Sequence, residues 1–151
     1  MSLKKSIFFM SLSITTIATF ITVSALPNIS ADAIYVDKTC QQIPLSQPRS
    51  IDRFEIDYQF AFTTAEQSYL LYAARYQDGA YIFCVSKPNY LSPQVIRNEK
   101  INFQFIDNIV QPEKGKPTFI VTVRNGNGRN PSSAPVRLDL KNPNNPIVTS
   151  N

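Results

Sequence analysis

A chain of 151 residues, 43% of them hydrophobic, can bury one core but not two once a leader is set aside. It has no histidine, which removes Ser-His-Asp hydrolysis, Cys-His proteolysis and most zinc catalysis, because each needs an imidazole as base or ligand near neutral pH. The only glycines, Gly79, Gly115, Gly126 and Gly128, write no phosphate-cradling loop, and the net charge of +4 is carried by Lys and Arg scattered among acidic residues, so no nucleic acid partner is expected.

The N-terminus reads as an address. Lys4 and Lys5 precede an apolar run from Ile7 to Val23, and Ser24-Ala25 supplies a small-residue exit, the order of a secretory signal peptide. The run is short for a membrane span and is diluted by six Ser and Thr residues. Cleavage is expected at Ala25, with Ala31-Asp32-Ala33 as the second site. The chain is then secreted or periplasmic, with no membrane insertion after cleavage, and its charge falls to +2. Asn28-Ile29-Ser30 is a formal glycosylation sequon that matters only in a eukaryotic secretory route.

Residues 26–50, broken by Pro27, Pro44 and Pro48, form an N-terminal arm with one short strand at Ile34 to Asp37. Cys40 lies in this arm. In an exported chain its only available partner is Cys84, and the bridge closes a loop worth about 4 kcal/mol in the chain-entropy account. A single domain then runs over 51–140. It opens on Phe54 to Phe62, where strict alternation puts Phe54, Ile56, Tyr58, Phe60 and Phe62 on one face and Glu55, Asp57 and Gln59 on the other.

Residues 64–87 admit two readings. In the favoured one, Tyr69–Gln77 and Ala80–Lys87 are strands joined by Asp78-Gly79 as a two-residue turn. In the other, Thr64 and Gln67 form a capping box and a helix occupies 64–78. Beyond a polar connection over 88–100, a strand runs from Ile101 towards Val110. Further strands follow at Thr118–Arg124 and Val136–Leu140, with Asn125-Gly126-Asn127-Gly128 as a turn between them. Residues 141–151 carry too little apolar surface to order themselves and are expected to be a flexible tail. About seven short strands make an all-β antiparallel sandwich or barrel, or an α+β fold if the helix forms.

The chemistry that remains is limited. A two-residue turn at Asp78-Gly79 sets Tyr72, Tyr76 and Tyr81 on one side of the hairpin, a candidate binding patch for a protein or a glycan. Glu55, Asp57 and Asp107 are the first suspects for carboxylate chemistry, although Glu55 and Asp57, as neighbours on one strand, would not flank a substrate from opposite sides. Neither a metal site nor a cofactor is written in the sequence. Asn125–Asn130 lacks any carboxylate and includes Arg129, which would repel a calcium ion. The expected function is an exported, non-enzymatic β-domain that binds a protein, glycan or cell-envelope component. The alternatives are a small carboxylate-based hydrolase and a self-associating structural surface protein.

Overall fold

The computed structural model describes residues 33–44, 46, 52–126 and 128–150. The expected signal peptide, its first exit and the Asn28 sequon lie outside these residues, as does Asn127. The described chain is nearly all strand: β1 (Tyr35–Val36), β2 (Gln42–Ile43), β3 (Phe54–Thr64), β4 (Gln67–Arg75), β5 (Ala80–Lys87), β6 (Leu91–Val95), β7 (Gln104–Val110), β8 (Thr118–Asn125), β9 (Ser132–Asp139) and β10 (Ile147–Ser150). They form one antiparallel sheet in the order β10-β9-β8-β7-β5-β4-β3-β1-β2, with β6 branching from β5. Among the described residues no helix is long and apolar enough to cross a membrane.

The sheet curls over on itself. Phe62, Leu71 and Phe83 from β3 to β5 share one buried cluster with Ile109, Phe119 and Leu138 from β7 to β9, so the two halves face each other across the main core. The Thr63 N–H donates to the Gly115 carbonyl at 2.9 Å and the Gln111 side-chain amide to the Ala61 carbonyl at 3.3 Å, which draws the β7–β8 turn to the far end of β3 without closing a barrel. Edge-to-face contact between Phe62 and Phe119, with centroids 5.7 Å apart, fills the centre.

Two bulges set which residues enter that core. In β3 the register jumps from Ile56 opposite Ala74 to Tyr58 opposite Ala73, leaving Asp57 as the extra residue. Strict alternation therefore fails at Asp57. Phe54 and Ile56 turn to the outer side, whereas Tyr58, Phe60 and Phe62 point into the core. A second bulge at Asp107 in β7 has the same effect, so Ile106 and Ile109, three apart, are both buried. The expected strand from Ile101 begins only at Gln104, because 99–103 is a turn in which Ile101 is buried and Phe103, with φ of 56°, is exposed.

The outer side of β3 to β5 has its own cover. Val36, Cys40, Phe54, Tyr72, Ala74, Ile82 and Cys84 make a second buried cluster, with the β1–β2 hairpin laid over the sheet and fastened by the Cys40–Cys84 bridge. The residues read as an arm are thus the second layer. This explains why β5 is buried on both faces along nearly its whole length.

The edge of β5 opposite β4 is divided between two strands. Its Ala80 and Tyr81 pair with β7, and its Cys84, Val85 and Lys87 pair with β6. Between them the buried Asn102 side chain completes the ladder: its Oδ1 accepts from the Phe83 N–H at 2.9 Å and its amide nitrogen donates to the Ile96 carbonyl. Backbone groups that no strand reaches are satisfied by one side chain.

Two expectations are corrected and one alternative is set aside. The helix over 64–78 does not form, because Ala65 and Glu66, with φ of 47° and 61°, make a two-residue turn and β4 follows, stacking Tyr69 on Phe62 at 5.4 Å. Asp78-Gly79 is not a two-residue turn: the Gly79 N–H donates to the Tyr76 carbonyl at 3.0 Å and the Tyr76 N–H to the Ala80 carbonyl at 2.7 Å, a three-residue loop whose last position, Gly79, has φ of 94°. The tail is not free either, since β10 pairs with β9 from Ile147 opposite Asp139 to Ser150 opposite Val136.

The first of these turns carries a prediction. Left-handed backbone costs roughly 1–2 kcal/mol for a residue with a Cβ, and neither Ala65 nor Glu66 is a residue type that suits it. The double variant Ala65→Asn/Glu66→Gly should therefore stabilise the fold by about 1 kcal/mol, read as a higher denaturant midpoint at unchanged slope. A lower midpoint would show that the turn is not strained.

Candidate functional site

The three tyrosines do not form a patch. The three-residue loop slips the β4–β5 register by one, placing Arg75 opposite Tyr81 and Tyr72 opposite Cys84, and such a slip moves side chains to the other face. Tyr72 is buried in the outer cluster, where its hydroxyl donates to the Cys40 carbonyl at 2.9 Å. Burial, with the nearby Asp37 charge, pushes its phenol well above the ordinary tyrosine range. Tyr76 is half-buried on the same side and donates to Asp52 at 3.1 Å. Tyr81 lies on the opposite face in the main core, donating to Asp57 Oδ2 at 2.7 Å, and burial followed by that bond raises its phenol strongly as well.

The suspect carboxylates are engaged within the fold. Asp57 Oδ2 also accepts from Arg75 Nε at 2.6 Å, so the bulge carries a Tyr-Asp-Arg lock at one end of the core. Glu55 stands opposite Arg75 in the register and raises the guanidinium pKa slightly, behind the larger effect of Asp57. Asp107 is 3.4 Å from Arg124 Nε and accepts from the Ser133 hydroxyl. Each bulge thus supplies a carboxylate to an arginine on the neighbouring strand. Among the described residues no three His, Cys, Asp or Glu side chains gather as metal ligands would.

A cleft lies elsewhere, with a volume of about 610 Å³, which is in the range of small-ligand sites. Its walls are residues 93–98, the turn at 38–39 and the turn at 143–146. The first wall is β6 and its extension, held to β5 by the ladder and by the Asn102 clamp. The second is fixed by Asp37, whose Oδ1 accepts from the Thr39 N–H at 2.8 Å, the Thr39 hydroxyl at 2.7 Å and the Gln41 N–H at 3.0 Å. Partial burial pushes the Asp37 carboxyl up, but these bonds outweigh it and hold the group below its ordinary value. Gln41 then donates its side-chain amide to the Pro93 carbonyl at 3.1 Å, tying the second wall to the first. The third wall is an Asn142 turn, in which Oδ1 accepts from the Asn144 N–H at 3.2 Å and the carbonyl from the Asn145 N–H at 3.0 Å.

The groups facing this space have a consistent character. The side-chain amides of Gln94, Asn144 and Asn145 make no hydrogen bond within the described residues, and Lys38 and Arg97 make no ion pair there. Among the described residues no carboxylate lines the cleft. Sequence reasoning missed it because its walls come from the arm, the polar connection and the tail, the three stretches with no periodic pattern. The one signal was Pro93, which marks an edge strand. Comparison with protein-family models, curated proteins and solved structures gives no match to this chain.

Proposed function

We propose that this chain is an exported, non-enzymatic β-domain that binds a glycan, a protein or another cell-envelope component through the cleft bounded by residues 38–39, 93–98 and 143–146. The observation that carries the reading is the contrast between the carboxylates and the cleft. Asp57 and Asp107 spend their oxygens on Arg75, Tyr81, Arg124 and Ser133, whereas Gln94, Asn144, Asn145, Lys38 and Arg97, which line an open space with fastened walls, carry side-chain donors unused among the described residues. Pre-organised polar groups around a concavity are what binding requires, because the ordering entropy has been met by folding. The bridge at Cys40 and Cys84 supports an oxidising location.

The test uses the immobilised domain and fractionated envelope polysaccharide and protein. Retention of one fraction by the wild-type chain, lost in Asn144→Trp with an unchanged unfolding temperature, is the expected result, since the indole fills the cleft from an exposed turn. Retention untouched by that substitution, or none in any fraction, would remove the proposal. Self-association has one feature in its favour, the outer edge of β10, whose Ile147-Val148-Thr149-Ser150 carries no charge or proline to discourage another strand. A concentration-independent monomer in sedimentation would discard it.

A further inference from the structure

We infer that the cleft selects an acidic saccharide, a hydroxyl-rich ligand carrying carboxylate or phosphate, and not a neutral sugar or a peptide strand. This rests on the cleft being the binding site. Lys38 and Arg97 border the space, and among the described residues no carboxylate does and neither cation has an ion-pair partner. Asp37, adjacent to Lys38, directs its Oδ1 back into its own turn and makes no ion pair with it. An anion entering the cleft therefore meets Lys38, which Asp37 feels through space without an ion pair, and Arg97, a guanidinium with a fork suited to carboxylate or phosphate and no ion-pair partner among the described residues.

The remaining lining decides what the anion is attached to. Gln94, Asn144 and Asn145 each offer an amide with both donors and an acceptor, the complement of hydroxyls that both give and take a proton. Pro93 and Pro146 add flat apolar surface, but among the described residues no aromatic ring lines the cleft. A neutral sugar would lack the stacking platform that gives such ligands most of their contact. An added peptide strand is disfavoured on β6 itself, because Pro93 has no N–H to offer and its carbonyl already accepts from Gln41. Two cations are also too few for a nucleic acid, whose affinity grows with each phosphate neutralised.

The experiment is an amide-resolved NMR titration of the oxidised protein with trigalacturonic acid, its fully methyl-esterified form, and maltose 1-phosphate. At least one charged probe should move the amides of residues 94–98 and 144–145, with weaker binding at raised salt. The ester should bind about tenfold more weakly than trigalacturonic acid, and Lys38→Gln/Arg97→Gln should lose about tenfold in affinity for the charged probe with the rest of the spectrum unchanged. The two charged arms separate carboxylate from phosphate as the group read. Equal binding of ester and acid in the cleft would overturn the charge inference while leaving the cleft as a binding site. Silence of the cleft amides towards both charged probes would overturn it too, and retention lost in Asn144→Trp would then still report whether the cleft binds anything.

Discussion

Replacing Cys40 and Cys84 together by alanine is expected to lower stability by about 2–5 kcal/mol, a large part of what a domain of this size possesses. The bridge spans 44 positions, so the unfolded chain loses much freedom when it is closed. It also has a local task. β1 and β2 are two residues each, and beyond the short pairing of β1 with β3 and single bonds from Tyr72 and Gln41, the cover they provide over Tyr72, Ala74 and Ile82 is held by the covalent tie. The loss should therefore be uneven. Hydrogen exchange in the double variant, or in the reduced wild type, should rise most across β1, β2 and the outer side of β4 and β5, by more than the lowered global stability imposes on β8 and β9. A stability within about 1 kcal/mol of wild type, or a loss of protection over β1 and β2 no larger than that over β8 and β9, would show that the bridge does not hold the cover.

The second large effect is expected at Asn102. Truncation to alanine strands the Phe83 N–H and the Ile96 carbonyl in a buried setting, and roughly 1–3 kcal/mol for each unsatisfied group gives about 2–6 kcal/mol in all, less whatever water can enter. Asn102→Asp separates the two bonds, since it keeps an acceptor for Phe83 but no longer donates to Ile96. Because residues 93–98 form one wall of the cleft, Asn102→Ala should also weaken ligand retention at temperatures where the fold persists. Equilibrium denaturation read beside retention checks both parts. A loss below about 0.5 kcal/mol would mean that the ladder is complete without the clamp.

Much of the fold was legible from periodicity. The alternation at Phe54 to Phe62, Thr118 to Arg124 and Val136 to Leu140 marks β3, β8 and β9, and two cysteines without competitors point to the Cys40–Cys84 bridge that the structure contains. Illegible were the places where tertiary bonds outvote the local pattern. Nothing around Asp57 announces a bulge, because its cause is distant: Arg75 and Tyr81 converge on its carboxylate from the next two strands. Ala65-Glu66 is a poor turn sequence, held by the strands on either side. The Asp78-Gly79 reading was correct as to a hairpin and wrong by one residue as to its loop, and that single residue was enough to dissolve the proposed tyrosine face. The cleft was invisible for another reason. A site assembled from turns that are far apart in the chain leaves no mark on hydrophobic periodicity, which reports only what is buried.

The order in which a ribosome delivers this chain runs against the order in which its layers can assemble. The β1–β2 flap emerges before β3 and β5, the surfaces it is built to rest on, so Cys40 must wait unpartnered until Cys84 follows 44 positions later. With no third thiol in the sequence, that delay carries no risk of a mismatched link inside the molecule. The one wrong partner open to Cys40 in that interval is a thiol of a neighbouring copy in the same state.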